Sequence, residues 1–141
     1  MRRRLVATLF AALALLAGCS GASSPRTASG VRAMYRSIGL DAGAGDFTDV
    51  CRTYMDAPLR DEVKKAENDC TTANYSSKLE RWSEKVRLSK VKASTRIVLS
   101  GDQALVYDGG KPETALYAHG QWVLADVPEL TTTTQSRTAT R

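Results

Sequence analysis

Histidine occurs once, cysteine three times and proline four times among the 141 residues. A single His119 leaves no second imidazole for a metal, and Cys51 and Cys70, the two cysteines left once Cys19 is read as a lipid attachment site, do not make a zinc ligand set with that one distant histidine. No Gly-x-Ser-x-Gly and no glycine loop of the phosphate-cradling kind is present, so neither an elbow serine nucleophile nor a nucleotide site is expected. Aromatic residues make up 6% of the chain, and none is interleaved with the basic residues Lys85, Arg87, Lys90, Lys92 and Arg96, which argues against a stacking platform for nucleic acid there. No metal, cofactor or nucleic acid is therefore expected. The longest apolar run, Leu5 to Leu16, is about a dozen residues, short of the roughly 20 that cross a bilayer as a permanent helix. No internal repeat is visible.

What is present at the start has the tripartite layout of a secretory signal: Arg2, Arg3 and Arg4, then the apolar run, then the small pair Ala17 and Gly18. The boundary Leu16-Ala17-Gly18-Cys19 resembles the lipobox of bacterial prolipoproteins. That resemblance implies cleavage after residue 18, lipidation of Cys19 and a chain that hangs from a membrane by two or more acyl chains, where one would be marginal. An ordinary secretory peptide with a chance cysteine is the alternative. Removing residues 1–18 takes three of the 20 basic residues and none of the 15 acidic ones, so the net charge falls from +5 to +2. Overall charge therefore carries no argument for nucleic-acid binding.

Cys51 and Cys70 remain after Cys19 is spent on lipid, and an export signal puts them in an oxidising compartment, where a disulfide is the expected state. Residues 19–30 hold almost nothing to bury and read as a lipid-anchored flexible tether. Residues 129–141 read as a Thr-rich tail without fixed structure. The span 31–128 between them is long enough for one domain with one core.

Within that span Val31, Met34, Tyr35 and Ile38 mark one helix face. Asp46 is placed to cap a second helix, with Phe47, Val50, Cys51, Tyr54 and Met55 on its buried side. Pro58 opens a third helix with Leu59, Val63 and Ala66 on one face, and Tyr75, Leu79, Trp82 and Val86 suggest a fourth. The period then changes to two. Val91 to Leu99, Gln103 to Tyr107, Thr114 to Ala118 and Gln121 to Val127 read as four strands of an antiparallel meander, joined by turns at Ser100-Gly101-Asp102, Asp108-Gly109-Gly110-Lys111 and His119-Gly120, with Pro128 ending the last. Helices first and a meander after is the α+β pattern.

The segments Val31-Arg32-Ala33-Met34-Tyr35, Gly45-Asp46-Phe47 with Cys51, a second cysteine at Cys70, and His119-Gly120-Gln121-Trp122 resemble those of actinobacterial lipoproteins of the nuclear transport factor 2-like superfamily. The likeness spans residues 31–128, and departs from the family's Asp-Gly hairpin at His119. It implies a cystatin-like cone, a curved antiparallel sheet wrapped around N-terminal helices, and a place on the outer leaflet of the cell membrane, facing away from the cytoplasm. Some relatives with that cone are isomerases or cyclases that move protons with a carboxylate, tyrosine or histidine in the cavity.

The residues to test for such a role are Asp126, Tyr107 and Tyr117, with Asp108 and His119 more simply explained as turn residues. Asp126 alternates with Trp122 and Leu124, so the period directs it inward, although a carboxylate leaving the sheet at a strand end explains it equally well. Lys90, Lys92 and Arg96 share a strand face, read either as a surface for anionic headgroups or as a solvated face protected by charge. The expectation is a non-catalytic module that binds an apolar small molecule, a partner protein or a second copy of itself. A small isomerase or cyclase-like enzyme is the alternative.

Overall fold

A computed structural model describes residues 24–67, 70, 78–87 and 94–131. Helix α1 (Ala28–Gly43) begins at Thr27, whose hydroxyl accepts from the Gly30 amide at 3.3 Å. It buries the expected stripe of Val31, Met34, Tyr35 and Ile38. Helix α2 (Phe47–Tyr54) begins where Asp46 accepts from the Asp49 amide at 3.1 Å, and it buries Phe47, Val50 and Cys51. Tyr54 sits half-buried and donates to Asp41 at 2.9 Å. Helix α3 (Ala57–Glu67) carries Leu59 and Val63 inward, and Asp56 caps it by accepting from the Leu59 amide at 2.9 Å. Helix α4 (Lys78–Lys85) buries Leu79, Trp82 and Ser83.

Four strands follow, β1 (Arg96–Ser100), β2 (Gln103–Tyr107), β3 (Glu113–Ala118) and β4 (Gln121–Asp126), and they pair antiparallel in chain order as one open sheet. The class is α+β, as the change of period implies. Helices α1, α2 and α3 all contact β4, and the stretch between α2 and α3 extends the sheet by one bridge: Met55 pairs with Leu124, and the Asp56 amide donates to the Leu124 carbonyl at 2.8 Å. The core therefore lies between the helices and one sheet face, filled by Trp82, Trp122, Tyr35, Ile38 and Leu124. Cys51 and Cys70 are bridged, with Cα atoms 6.1 Å apart, which ties α2 to the chain after α3.

Three element boundaries depart from the sequence reading. Strand β1 is found from Arg96, and of the residues expected before it Lys90, Val91, Lys92 and Ala93 lie outside the described residues, as Tyr75 does. The expected tail starts inside the fold, because Pro128–Thr131 form a single helical turn, α5, that buries Leu130 completely while Lys85 pairs with Glu129 at 2.9 Å. The far part of the expected tether, residues 24–30, is also held. The Ser24 amide donates to the Gly120 carbonyl at 2.9 Å, and Thr27 to Gly30 open α1.

Gly30 marks how tightly that segment is seated. A Cβ there would lie 2.0 Å from the Pro25 carbonyl oxygen and 3.1 Å from Trp122 Nε1. Gly30→Ala is expected to cost about 1–3 kcal/mol through this overlap and to expose the bond after Arg26 to trypsin. Thermal denaturation and limited proteolysis check it, and wild-type stability with wild-type resistance at Arg26 would contradict the packing described.

Candidate functional site

A buried polar cluster lies where the period of two did not single one out. Glu113, the first residue of β3, points to the helix side with 6% exposure. One carboxylate oxygen accepts from the Tyr35 hydroxyl of α1 at 2.6 Å, the other from Trp82 Nε1 of α4 at 2.8 Å. Tyrosine and tryptophan each bring a large apolar body with one polar handle, and here both handles end on the same carboxylate. Beside it a hollow of about 370 Å³ is bordered by Asp108, Lys111, Glu113, Pro128 and Glu129.

Burial raises the Tyr35 hydroxyl well above its ordinary pKa, and the charge and hydrogen bond of Glu113 and the charge of Asp108 push the same way. Tyr35 thus keeps its proton and donates it in a hydrogen bond. A raised pKa means that the folded state holds the proton, so this contribution to stability is complete below the unfolded value of about 10 and is lost as pH rises through the folded-state value. Tyr35→Phe is accordingly expected to reduce the alkaline fall in stability, read from denaturant titrations across about pH 9 to 11.5. An identical fall in the variant would contradict this.

The residues singled out from the sequence do not converge. Asp126 is exposed, contrary to the expectation that alternation turns it inward. Leu124 pairs with Ala115 and Asp126 with Thr114, so Ala125 is the extra residue of a bulge. A bulge resets the alternation, and Val127, 0% exposed, takes the next inward place. Tyr107 lies on the opposite, outer face, opposite Arg96 on β1, whose guanidinium sits 5.1 Å from its ring centre. Asp108 is an exposed turn residue at the rim of the hollow. His119 adopts φ 50° and Gly120 φ 83°, so the β3–β4 turn is of the kind that needs two left-handed residues, and His119 stands exposed at its tip.

Tyr117 does face the helix side, where it is engaged in structure. Its hydroxyl donates to the Ser24 carbonyl at 2.7 Å, and its ring meets Trp122 edge-on at 5.3 Å. Among the described residues no group of three or more His, Cys, Asp or Glu side chains gathers as a metal site, and no helix is long and apolar enough to cross a membrane. Cys19 lies outside the described residues.

The outer face of the sheet carries the second feature. Val98 on β1 pairs with Leu105 on β2, and Leu116 on β3 pairs with Val123 on β4. Leu105 and Leu116 are diagonal neighbours, because Thr114 and Gln103 are their direct partners. These aliphatic side chains form a stripe across all four strands, with Val98 38% and Leu116 36% exposed. A one-sided antiparallel sheet ordinarily turns polar residues to water. Arg96 and Asp126 are the charged residues of this face, at opposite edges of the sheet.

The chain was also compared with protein-family models, curated proteins and solved structures, and none matches it.

Proposed function

We propose that this chain is a non-catalytic binding module, held on the extracytoplasmic side of a cell membrane by a lipidated Cys19, and that the outer face of its sheet takes a partner protein. The reading of Arg2 to Cys19 as a lipoprotein signal supports the anchor. The observation that carries the binding role is the stripe of Val98, Leu105, Leu116 and Val123 on a sheet face that no element of the described chain covers. Contiguous apolar surface of this kind marks a contact site more often than it marks solvent. The order of helices before a four-stranded antiparallel meander supports the nuclear transport factor 2-like plan.

A photo-reactive side chain placed at Leu116 in the membrane-resident protein tests the surface, with Leu40 as control. Leu40 is 69% exposed on α1, away from the sheet face. Discrete protein adducts at position 116 and none at position 40 are the expected result, and no adduct at either position would sink the binding role.

One observation favours the enzymatic alternative, that the buried Glu113 carboxylate borders a hollow of about 370 Å³. An isomerase-like cavity predicts saturable quenching of tryptophan fluorescence by a small planar apolar compound, lost in Glu113→Gln. Linear, unsaturable quenching removes that reading.

A further inference from the structure

We infer that residues 24–27 act as a latch that sets the attitude of the domain on the bilayer, turning the β3–β4 hairpin end toward the lipid headgroups and the Glu113 hollow away from them; the inference rests on the lipid anchor proposed above. The latch is built from both main chain and side chains. Ser24 is held at both its main-chain polar groups, its amide donating to the Gly120 carbonyl at 2.9 Å and its carbonyl accepting from the Tyr117 hydroxyl at 2.7 Å. The Pro25 carbonyl accepts from Trp122 Nε1 at 3.0 Å. Arg26 reaches Asp102 in the β1–β2 turn at 3.0 Å and lies 4.6 Å over the Tyr117 ring. Two large aromatic residues of the sheet thus spend their polar groups on the backbone of a segment with little apolar surface of its own, where a passive spacer would need no such contacts.

The covalent chain supplies the rest of the argument. Five residue steps separate Ser24 from Cys19, and a fully extended chain spans at most about 3.6 Å per residue, so the latch stands within about 18 Å of the lipidated sulfur's own residue. The two turns that the latch touches, at Asp102 and Gly120, lie at one end of the sheet. The other end holds the β2–β3 turn, Asp108, Lys111 and the hollow. Strand β3 runs the distance between them, about five steps of 3.3 Å from Glu113 to Ala118. With the near end held close to the membrane, the strands stand away from it and the apolar outer face is presented sideways, to a partner beside it on the same surface.

The test uses the full lipidated chain in vesicles of phosphatidylethanolamine and phosphatidylglycerol that carry a headgroup quencher. A fluorophore is attached at Gln121→Cys, beside the latch, or at Lys111→Cys, at the far end; both positions are exposed. Quenching several-fold stronger at position 121 than at 111, with the difference abolished by Arg26→Ala/Tyr117→Phe while thermal stability stays close to that of the labelled parent, is the expected result. Equal quenching at both positions in a chain whose mass includes the lipid overturns the latch and leaves the anchor standing. A chain of unlipidated mass overturns both.

Discussion

Glu113→Leu is expected to lower the thermal midpoint by more than about 10 °C. The substitution leaves the Tyr35 hydroxyl and the Trp82 indole N–H facing a hydrocarbon. Each buried donor without an acceptor costs about 1–3 kcal/mol, so the pair costs roughly 2–6 kcal/mol, and a domain of this size loses about 4–8 °C for each kcal/mol. Glu113→Gln keeps one oxygen to accept but turns an amide N–H toward the other donor, so its loss is smaller. The comparison that isolates the network is a double-mutant cycle. Removing the hydroxyl as well, in Tyr35→Phe/Glu113→Leu, recovers part of the loss because it takes away one of the orphaned donors. Additive losses would mean that the carboxylate and the hydroxyl do not act together.

The second large effect is that of the Cys51–Cys70 bridge, both of whose residues are nearly fully buried, at 1% and 3% exposure. A cross-link over 19 positions restricts the unfolded chain and contributes about 3 kcal/mol on the chain-entropy argument. Cys51→Ala/Cys70→Ala is expected to lose that much in a urea titration, a large share of the 5–15 kcal/mol typical of a domain. Wild-type protein unfolded and refolded in reductant should match the variant. Equal stability of oxidised and reduced protein would contradict a net stabilisation by restricting the unfolded chain.

The helices and hairpins were legible because their signals are local. Asp46 ahead of Phe47 and Val50, and Gly120 ahead of Trp122, each carry enough information within a few residues to place an element. The residues that escaped did so for three different physical reasons. Residues 24–30 contain little to bury, yet backbone carbonyls at Ser24 and Pro25 bond as well as any side chain, and nothing in a Ser-Pro-Arg-Thr segment announces that Tyr117 and Trp122 will donate to it. Glu113 sits one residue before the apparent strand start, and extending the period of two backward from Tyr117 and Ala115 would have placed it inward. Its acceptable burial depends on donors from two helices far away in sequence. Asp126 was misdirected by the bulge at Ala125, which no alternation can anticipate because it is a property of pairing with β3. Leu130 was lost to the polar look of the residues around it, although it fills a place between α3 and α4 through its short helix.

The cluster at Glu113 and the stripe on the outer face divide the domain between them. The first joins α1 and α4 to the sheet and fixes the core. The second lies on the other face of the same four strands, one residue step away along each. In the reading proposed above, the latch holds one end of those strands near a lipidated Cys19 and the fold presents that face at a membrane.

The claim that this domain works as a bridged, lipid-anchored module is tested most directly by the intact mass of native protein extracted from membranes, taken with and without reduction before alkylation. The account predicts a chain that starts at Cys19 and carries diacylglycerol, with Cys51 and Cys70 alkylated only after reduction. A chain that retains residues 1–18, or that lacks lipid, or whose two cysteines react without reductant, would contradict it.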